Sequence, residues 1–231
     1  MTATPSERTV AAPGPAATPP SWQGQQGAPT RFILLRHGQT ALSVERRYSG
    51  RGNPELTEEG RRQARTAAER VAREDSIAAI VTSPLSRTRS TADEVAARTG
   101  VEVVEHAGLI ETDFGEWEGL TFSEAAARDP EIHRAWLSDI TLAAPGGESF
   151  AQVADRIAET KNELLERYSG QTVVLVSHVT PIKSMLRDAL GVGPELLFRL
   201  HLDLASVSIA EFFADGGSVV RLVNDAAHWR S

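Results

Sequence analysis

Arg31-Phe-Ile-Leu-Leu-Arg36 runs without a break into His37-Gly38-Gln39-Thr40. A short, continuous apolar run of this kind is expected of a parallel strand covered on both faces. Two more runs have the same form, Ile77 to Thr82 (IAAIVT) and Thr172 to Ser177 (TVVLVS). Helical spacing marks the intervals: Thr57 to Arg73, with acids in its first turn, Ser86 to Arg98, and Phe150 to Tyr168. Strands alternating with helices predict an α/β domain, a three-layer α/β/α arrangement around a mostly parallel sheet. Near the C-terminus, Ala205 to Phe213 and Ser218 to Val223 flank Asp215-Gly216-Gly217, which predicts a hairpin and with it an antiparallel edge strand.

The 231 residues, 41% of them hydrophobic, suffice for one domain with a substantial core, and so for one active site. A net charge of −7, with Lys and Arg scattered among acids, argues against nucleic-acid binding, which needs a basic patch to overcome repulsion from the phosphate backbone. The absence of Cys removes disulfides, thiolate nucleophiles and cysteine-ligated zinc, and fits a reducing cytosol. No stretch approaches the roughly 18 apolar residues of a membrane span, and the N-terminus lacks the apolar run of a secretory signal. A soluble, cytoplasmic protein with no membrane partner is expected. Residues 1–30 are rich in Pro, Ala, Gly, Ser and Thr, with Trp22 as their one aromatic. They bury too little to offset the entropy of ordering and read as a disordered tail or linker, with the folded domain over residues 31–231. No pattern encodes the oligomeric state, which leaves a homodimer open.

In open α/β sheets the ligand crevice lies beyond the carboxyl ends of the strands. The three apolar runs lead into Arg36-His37-Gly38-Gln39-Thr40, Ser83-Pro84-Leu85-Ser86-Arg87 and Ser177-His178-Val179-Thr180-Pro181, so two arginines and two histidines converge on one edge. A lone His at a strand end or a lone helical Arg is more often structural or solvated. Agreement among three strand ends is what points to chemistry. The planar forks of Arg36 and Arg87 suit the equatorial oxygens of a transferring phosphoryl group. Their charge also keeps His37 neutral and nucleophilic. Gly38 is expected to let the backbone come close to the ligand. Thr180 and Pro181 read as the N-cap and first residue of a helix whose free N–H groups, beside His178, favour an anion. A proton donor for the leaving oxygen is expected in Leu109-Ile-Glu111-Thr-Asp113-Phe-Gly115-Glu116-Trp117-Glu118-Gly119. An apolar setting and a phosphate dianion would both raise a carboxyl pKa there. Chemistry alone does not choose among Glu111, Asp113, Glu116 and Glu118, and a surface loop of solvated acids stands beside that reading.

LLRHGQT, RRYSGRGNPELTEEGRRQA, TSPLSRTRSTA, LIETDFGEWEGLTF, PGGESF and VSHVTPI closely resemble, in order, the landmarks of the histidine phosphatase (phosphoglycerate mutase-like) superfamily, over essentially all of residues 31–223. The resemblance implies a phosphoglycerate mutase-like fold, His37 as the phosphorylated nucleophile, Arg36, Arg87 and His178 as the phosphate pocket, and Glu111 as proton donor. It also implies metal-independent catalysis without a cofactor on a small phosphomonoester. Ser43, Arg47, Ser49, Gly50 and Val179 are the further substrate-binding positions it implies. Within the superfamily the likeness is closer to bacterial acid phosphatases and α-ribazole phosphatases. SVERRYSGRGNPELTE and SHVTPIK resemble the acid phosphatase half of actinobacterial proteins that join it to a ribonuclease H domain. Residues 1–30 then resemble the end of the connecting linker, with no ribonuclease domain in this chain.

There are departures from the family pattern. Ser43 stands where many members have a phosphate-holding Asn and reaches less far, although it can still donate one hydrogen bond. Gln39 stands where many mutases have Glu, and Arg47 aligns with a common phosphate-side Arg. The longer insertions of the glycolytic mutase are not evident, which favours hydrolysis over phosphoryl return. A mutase, a non-catalytic phospho-ligand module and a metal-dependent hydrolase with His37 and His178 as ligands are the rival readings. The last has no H-x-H or H-E-x-x-H spacing behind it. Substrate selection is expected from Tyr48, Phe122 and the segment Arg128 to Trp136.

Overall fold

The structure is a computed structural model that describes residues 27–230. In chain order the elements are β1 (Thr30–Arg36), α1 (Ala41–Val44), α2 (Glu58–Val71), β2 (Ile77–Thr82), α3 (Ser86–Thr99), β3 (Val103–Glu105), α4 (Phe122–Arg128), α5 (Pro130–Trp136), α6 (Phe150–Arg167), β4 (Thr172–Ser177), α7 (Val179–Leu190), α8 (Leu196–Arg199), β5 (Val207–Phe212), β6 (Ser218–Asp225) and α9 (Ala227–Arg230). The proposed tail of residues 1–30 lies outside the described residues apart from its last four. Of these, Thr30 already pairs with Phe212 as the first residue of β1.

The strand order is β3-β2-β4-β1-β5-β6. The pairs β1–β4, β2–β4 and β2–β3 are parallel, and β5 runs antiparallel to both β1 and β6. Alternate residues of a strand face opposite layers. Ile33, Leu35, Ile80, Val174 and Val176 therefore pack against Ala67, Ala68 and Val71 of α2 and Ala92 and Val95 of α3. Phe32, Leu34, Val173 and Leu175 meet Val153 and Ile157 of α6 and Ile182 and Met185 of α7. Burial on both faces is why the central strands read as unbroken apolar runs.

The helices stop and start where their chemistry directs. Thr57 caps α2 through Gly60 N at 3.0 Å, and Ser149 and Gln152 form a capping box at α6. Gly100 and Gly191 end α3 and α7 in the left-handed conformation. Segment 122–136, which has no helical expectation above, forms α4 and α5, opened by a Thr121–Glu124 capping box and by Pro130. These two helices carry part of a smaller aromatic core of Tyr48, Phe114, Trp117, Trp136 and Phe150, joined by Leu197. Among the described residues no helix is long and apolar enough to cross a membrane.

Candidate active site

Strand register assembles the centre. Arg36 pairs with Ser177 across β1 and β4, so His37 and His178, the residues that follow them, leave the sheet side by side. His37 N donates to Ser177 O at 3.1 Å, and on the next strand Ser83 N donates to Val176 O at 3.1 Å. The two imidazoles meet edge-on with centroids 5.1 Å apart. His37 Nδ1 lies 2.8 Å from Gly38 O. A carbonyl oxygen only accepts, so Nδ1 carries the proton and Nε2 of the neutral ring keeps a lone pair. His178 Nε2 pairs with Ser83 Oγ at 2.8 Å, and its Nδ1 is buried without a partner. Burial first, then the charges of Arg87 and Arg36, hold His37 well below 6.5. His178 is held well below 6.5 by burial, then by Arg87 and His37.

Gly38 has a packing reason for its missing Cβ. A Cβ there would collide with the carbonyl of Gly60, and one on Gly60 would collide with the Gln39 carbonyl. The two glycines let the loop after His37 lie against the first turn of α2. Thr91 Oγ1 accepts from Gly38 N at 3.3 Å, and Gln63 Oε1 accepts from Gln39 N at 2.9 Å, which holds the loop there. Gln39 Oε1 in turn accepts from Thr57 Oγ1 at 2.8 Å.

Arg87, on the first turn of α3, is fully buried rather than solvated. Its terminal nitrogens donate to the carbonyls of Gly52 and Gly50, each at 2.8 Å, so the fork organises the 49–52 loop while Nε stays unpartnered. Arg36 Nη1 donates to Leu202 O, and its Nε is also buried without a partner. Burial lowers Arg36 to about 10, which leaves it cationic at neutral pH.

Geometry separates the four acids that chemistry left equal. Asp113 Oδ1 accepts from Gly115 N at 2.8 Å in a local turn, and Glu116 pairs with Arg128. Glu118 accepts from Gly50 N at 2.8 Å and Gly52 N at 3.1 Å, clamping the loop that Arg87 holds from the other side. Glu111 alone among them lines the cavity with His37, 5% exposed. Its carboxylate accepts from Thr112 N at 2.8 Å, Val179 N at 3.0 Å and Thr180 N at 3.3 Å. The group held at the start of α7 is thus this side chain, which accepts from the N–H groups that have no intrahelical acceptor. The helix also begins earlier than expected. His178, not Thr180, is the extended N-cap residue, and its carbonyl accepts from Ile182 N at 3.2 Å. Pro181 then sits third in the helix, still within the turn whose N–H groups have no intrahelical acceptor.

The cavity measures about 690 Å³, far more than a phosphoryl group needs. Ser49 lines it with a buried Oγ that has no partner, and Val179 lines it beside Glu111. Ser43 also lines it, but its hydroxyl is donated to Thr40 O at 2.7 Å and closes the capping box of α1. Arg47 stands at the rim, tied to Glu124 and Gly119 O at 2.9 Å each and to Glu45. Gly50 spends its N–H on Glu118 and belongs to the loop frame. Tyr48, Phe122 and Trp136 line the outer part with Phe114, Phe150 and Phe198. Tyr48 Oη, 2.9 Å from His133 Nε2, ties the wall to α5. Sequence reasoning passed over Glu118 as a clamp, Ser83 as the partner of His178, and Lys183, which lines the cavity one turn beyond Val179. The i, i+4 spacing from Val179 was the available signal for Lys183. Among the described residues no group of three or more His, Cys, Asp or Glu is arranged to hold a metal ion.

Comparison with known proteins agrees with this geometry. The chain is 57% identical over 211 residues to the Bifunctional protein Rv2228c of Mycobacterium tuberculosis, covering 91% of this chain and 58% of that protein. It therefore spans less than two thirds of that relative's length. It is 36% identical over 180 residues to Phosphoserine phosphatase 1 of Hydrogenobacter thermophilus, covering 78% of this chain and 85% of the relative. The solved structure of a mycobacterial glucosyl-3-phosphoglycerate phosphatase complexed with VO3 superposes with a TM-score of 0.78 at 32% identity, over 84% of this chain and 99% of that one. Residues 32–225 match the histidine phosphatase superfamily (branch 1). With its two histidines at adjacent strand ends inside a phosphoglycerate mutase-like sheet, the chain belongs to the histidine phosphatase superfamily.

Proposed function

We propose that this chain is a metal-independent acid phosphatase that hydrolyses small phosphorylated metabolites through a phosphohistidine on His37. The observation that carries the reading is the Nδ1–H contact of His37 with the Gly38 carbonyl, which fixes the tautomer and leaves Nε2 as the nucleophilic nitrogen. The unpartnered Arg36 Nε, Arg87 Nε, Ser49 Oγ and His178 Nδ1 supply polar atoms for the phosphoryl oxygens. In the first half-reaction the Nε2–P bond forms as the bond from phosphorus to the leaving oxygen breaks, and Glu111 gives that oxygen a proton, releasing an alcohol. In the second, water attacks phosphorus, Glu111 takes a proton from it, the P–N bond breaks, and inorganic phosphate leaves with His37 neutral again. The same reading takes residues 31–231 as the catalytic domain, without a cofactor, in a cytoplasmic setting. It assigns the phosphatase activity to this chain alone and no nucleic acid to its site.

Rapid quench with phosphorus-labelled substrate tests it. The expected result is an acid-labile, base-stable phosphoenzyme, formed in excess EDTA and lost in His37→Ala. Turnover in His37→Ala above about one per cent of wild type, more than the loss of a covalent catalyst should leave, removes the nucleophile assignment. EDTA inhibition removes the metal-independent one.

A further inference from the structure

Among the cavity's cations the phosphoryl chemistry leaves Arg46 and Lys183 without a task, and of the two Arg46 is exposed while Lys183 is half-buried. Lys161 and Lys183 are the only lysines among the 24 Lys and Arg residues. Lys161 is half-buried too, but its charge is paired with Asp188 at 2.6 Å, beside the Phe212 ring. Lys183 instead lines the catalytic cavity from α7, half-buried, and its Nζ donates to Leu197 O at 2.7 Å. Leu197 belongs to the aromatic cluster that walls the outer cavity.

An ammonium has three donors and no acceptor. Lys183 meets a neutral carbonyl and, among the described residues, forms no ion pair, although a buried cation is costly without an anion to pair it. Burial pulls it down to about 8, so it is still mostly protonated at neutral pH. The charges that act on it are those of Glu111, which protonates the leaving oxygen in the reading above, and Arg36. Lys183 stands one turn along α7 from Val179, whose N–H holds Glu111, and is tied to Leu197 of the cavity wall, a placement beyond the proton donor that suits the leaving-group side of the scissile bond. A compact ammonium on a flexible stem suits an anion whose position differs from one alcohol to another.

We propose that Lys183 reads a second anionic group carried by the leaving alcohol, which makes phosphomonoesters with a carboxylate or a second phosphate the preferred substrate class. This rests on the phosphatase reading. Matched substrates test it with the full chain. 3-Phosphoglycerate against glycerol 3-phosphate isolates a carboxylate, and fructose 1,6-bisphosphate against fructose 6-phosphate isolates a second phosphate. Wild type is expected to prefer the anion-bearing member of at least one pair. Lys183→Met should shrink that kcat/KM ratio about tenfold or more, the size of a lost hydrogen bond to a charged group, and Lys183→Arg should restore part of it. A measurement on wild type alone needs no variant to fold. The ratio should fall as pH rises through about 8, while groups that serve both members, His37, Glu111 and Arg36 among them, cancel. An equal loss on both members, with weaker vanadate inhibition, assigns Lys183 to the phosphoryl group and overturns the inference. So does a ratio indifferent to both Lys183 and pH. Turnover of no monoester at all refutes the hydrolytic reading first and this inference with it.

Discussion

His37 and His178 present their rings edge-on, 5.1 Å between centroids and inclined at 61°, on adjacent strands whose last residues are register partners. Neither ring gains a proton easily, because each is buried and both face Arg87 and Arg36. The burial and charge that would keep His37 neutral as the proposed nucleophile therefore make both rings a liability in acid.

The first prediction concerns stability. Each of these histidines has a folded pKa below its unfolded value, so below about 6.5 the unfolded chain binds more protons. The stability they contribute is present above 6.5 and lost as pH falls. Urea melts from pH 7.5 to 5.5 should show stability declining by up to about 1.4 kcal/mol per pH unit for each such group. His133 and His228, also lowered by burial, add to the slope. His178→Gln should flatten it in part. An unchanged slope would mean that His178 is charged in the native state.

Activity should follow the same sign. With His37 held below 6.5, the free enzyme keeps its nucleophile neutral on the mildly acid side, and kcat/KM should not fall until below that value. A descending limb centred at 6.5 or higher in a pH–rate profile would contradict the burial and charge argument.

Gly38→Ala should damage folding and catalysis together. The added Cβ meets the backbone carbonyl of Gly60, which cannot swing aside as a side chain would. Overpacking of this kind costs roughly 1–3 kcal/mol. Because His37 adjoins the displaced backbone, phosphoenzyme formation should slow in the fraction that stays folded. Denaturant melts and rapid quench on one preparation read both effects, and a variant with wild-type values in each would show the loop to be looser than its contacts.

The apolar runs of β2 and β4 were legible to the residue, and that of β1 to within one, because both faces are buried, and the His and Arg positions followed from where those runs stop. β3, with three residues, is too short to carry a period, and α4 and α5 span seven residues each, under two full turns of a repeat. The packing role of Gly38 was not legible because a missing Cβ does not say which neighbour requires its absence, and here one such neighbour is Gly60, on another element. Glu118 and Lys183 escaped for the same reason. Their roles are set by contacts to Gly50, Gly52 and Leu197, all far off in the chain.

Glu111→Gln separates the proton donor from the acids around it. If Glu111 protonates the leaving oxygen, the variant should slow phosphorylation of His37 most for sugar and alkyl phosphates, whose alkoxides are strongly basic. It should matter least for p-nitrophenyl phosphate, whose phenolate leaves unaided. The penalty should grow with leaving-group pKa, to a differential on the order of 10²-fold, the usual size for a lost general acid. Because dephosphorylation needs a base for water, the quantity to measure is the single-turnover rate of phosphoenzyme formation, not kcat alone. Glu118→Gln offers the contrast. Its carboxylate holds Gly50 and Gly52, whose carbonyls Arg87 grips, so loosening it should slow every substrate by about the same factor. Asp113→Asn and Glu116→Gln, which touch a local turn and Arg128, should likewise show no slope. A flat dependence for Glu111→Gln, or a steep one for Glu118→Gln, would put the proton on a different carboxylate and leave Glu111 as the anion that fastens the start of α7.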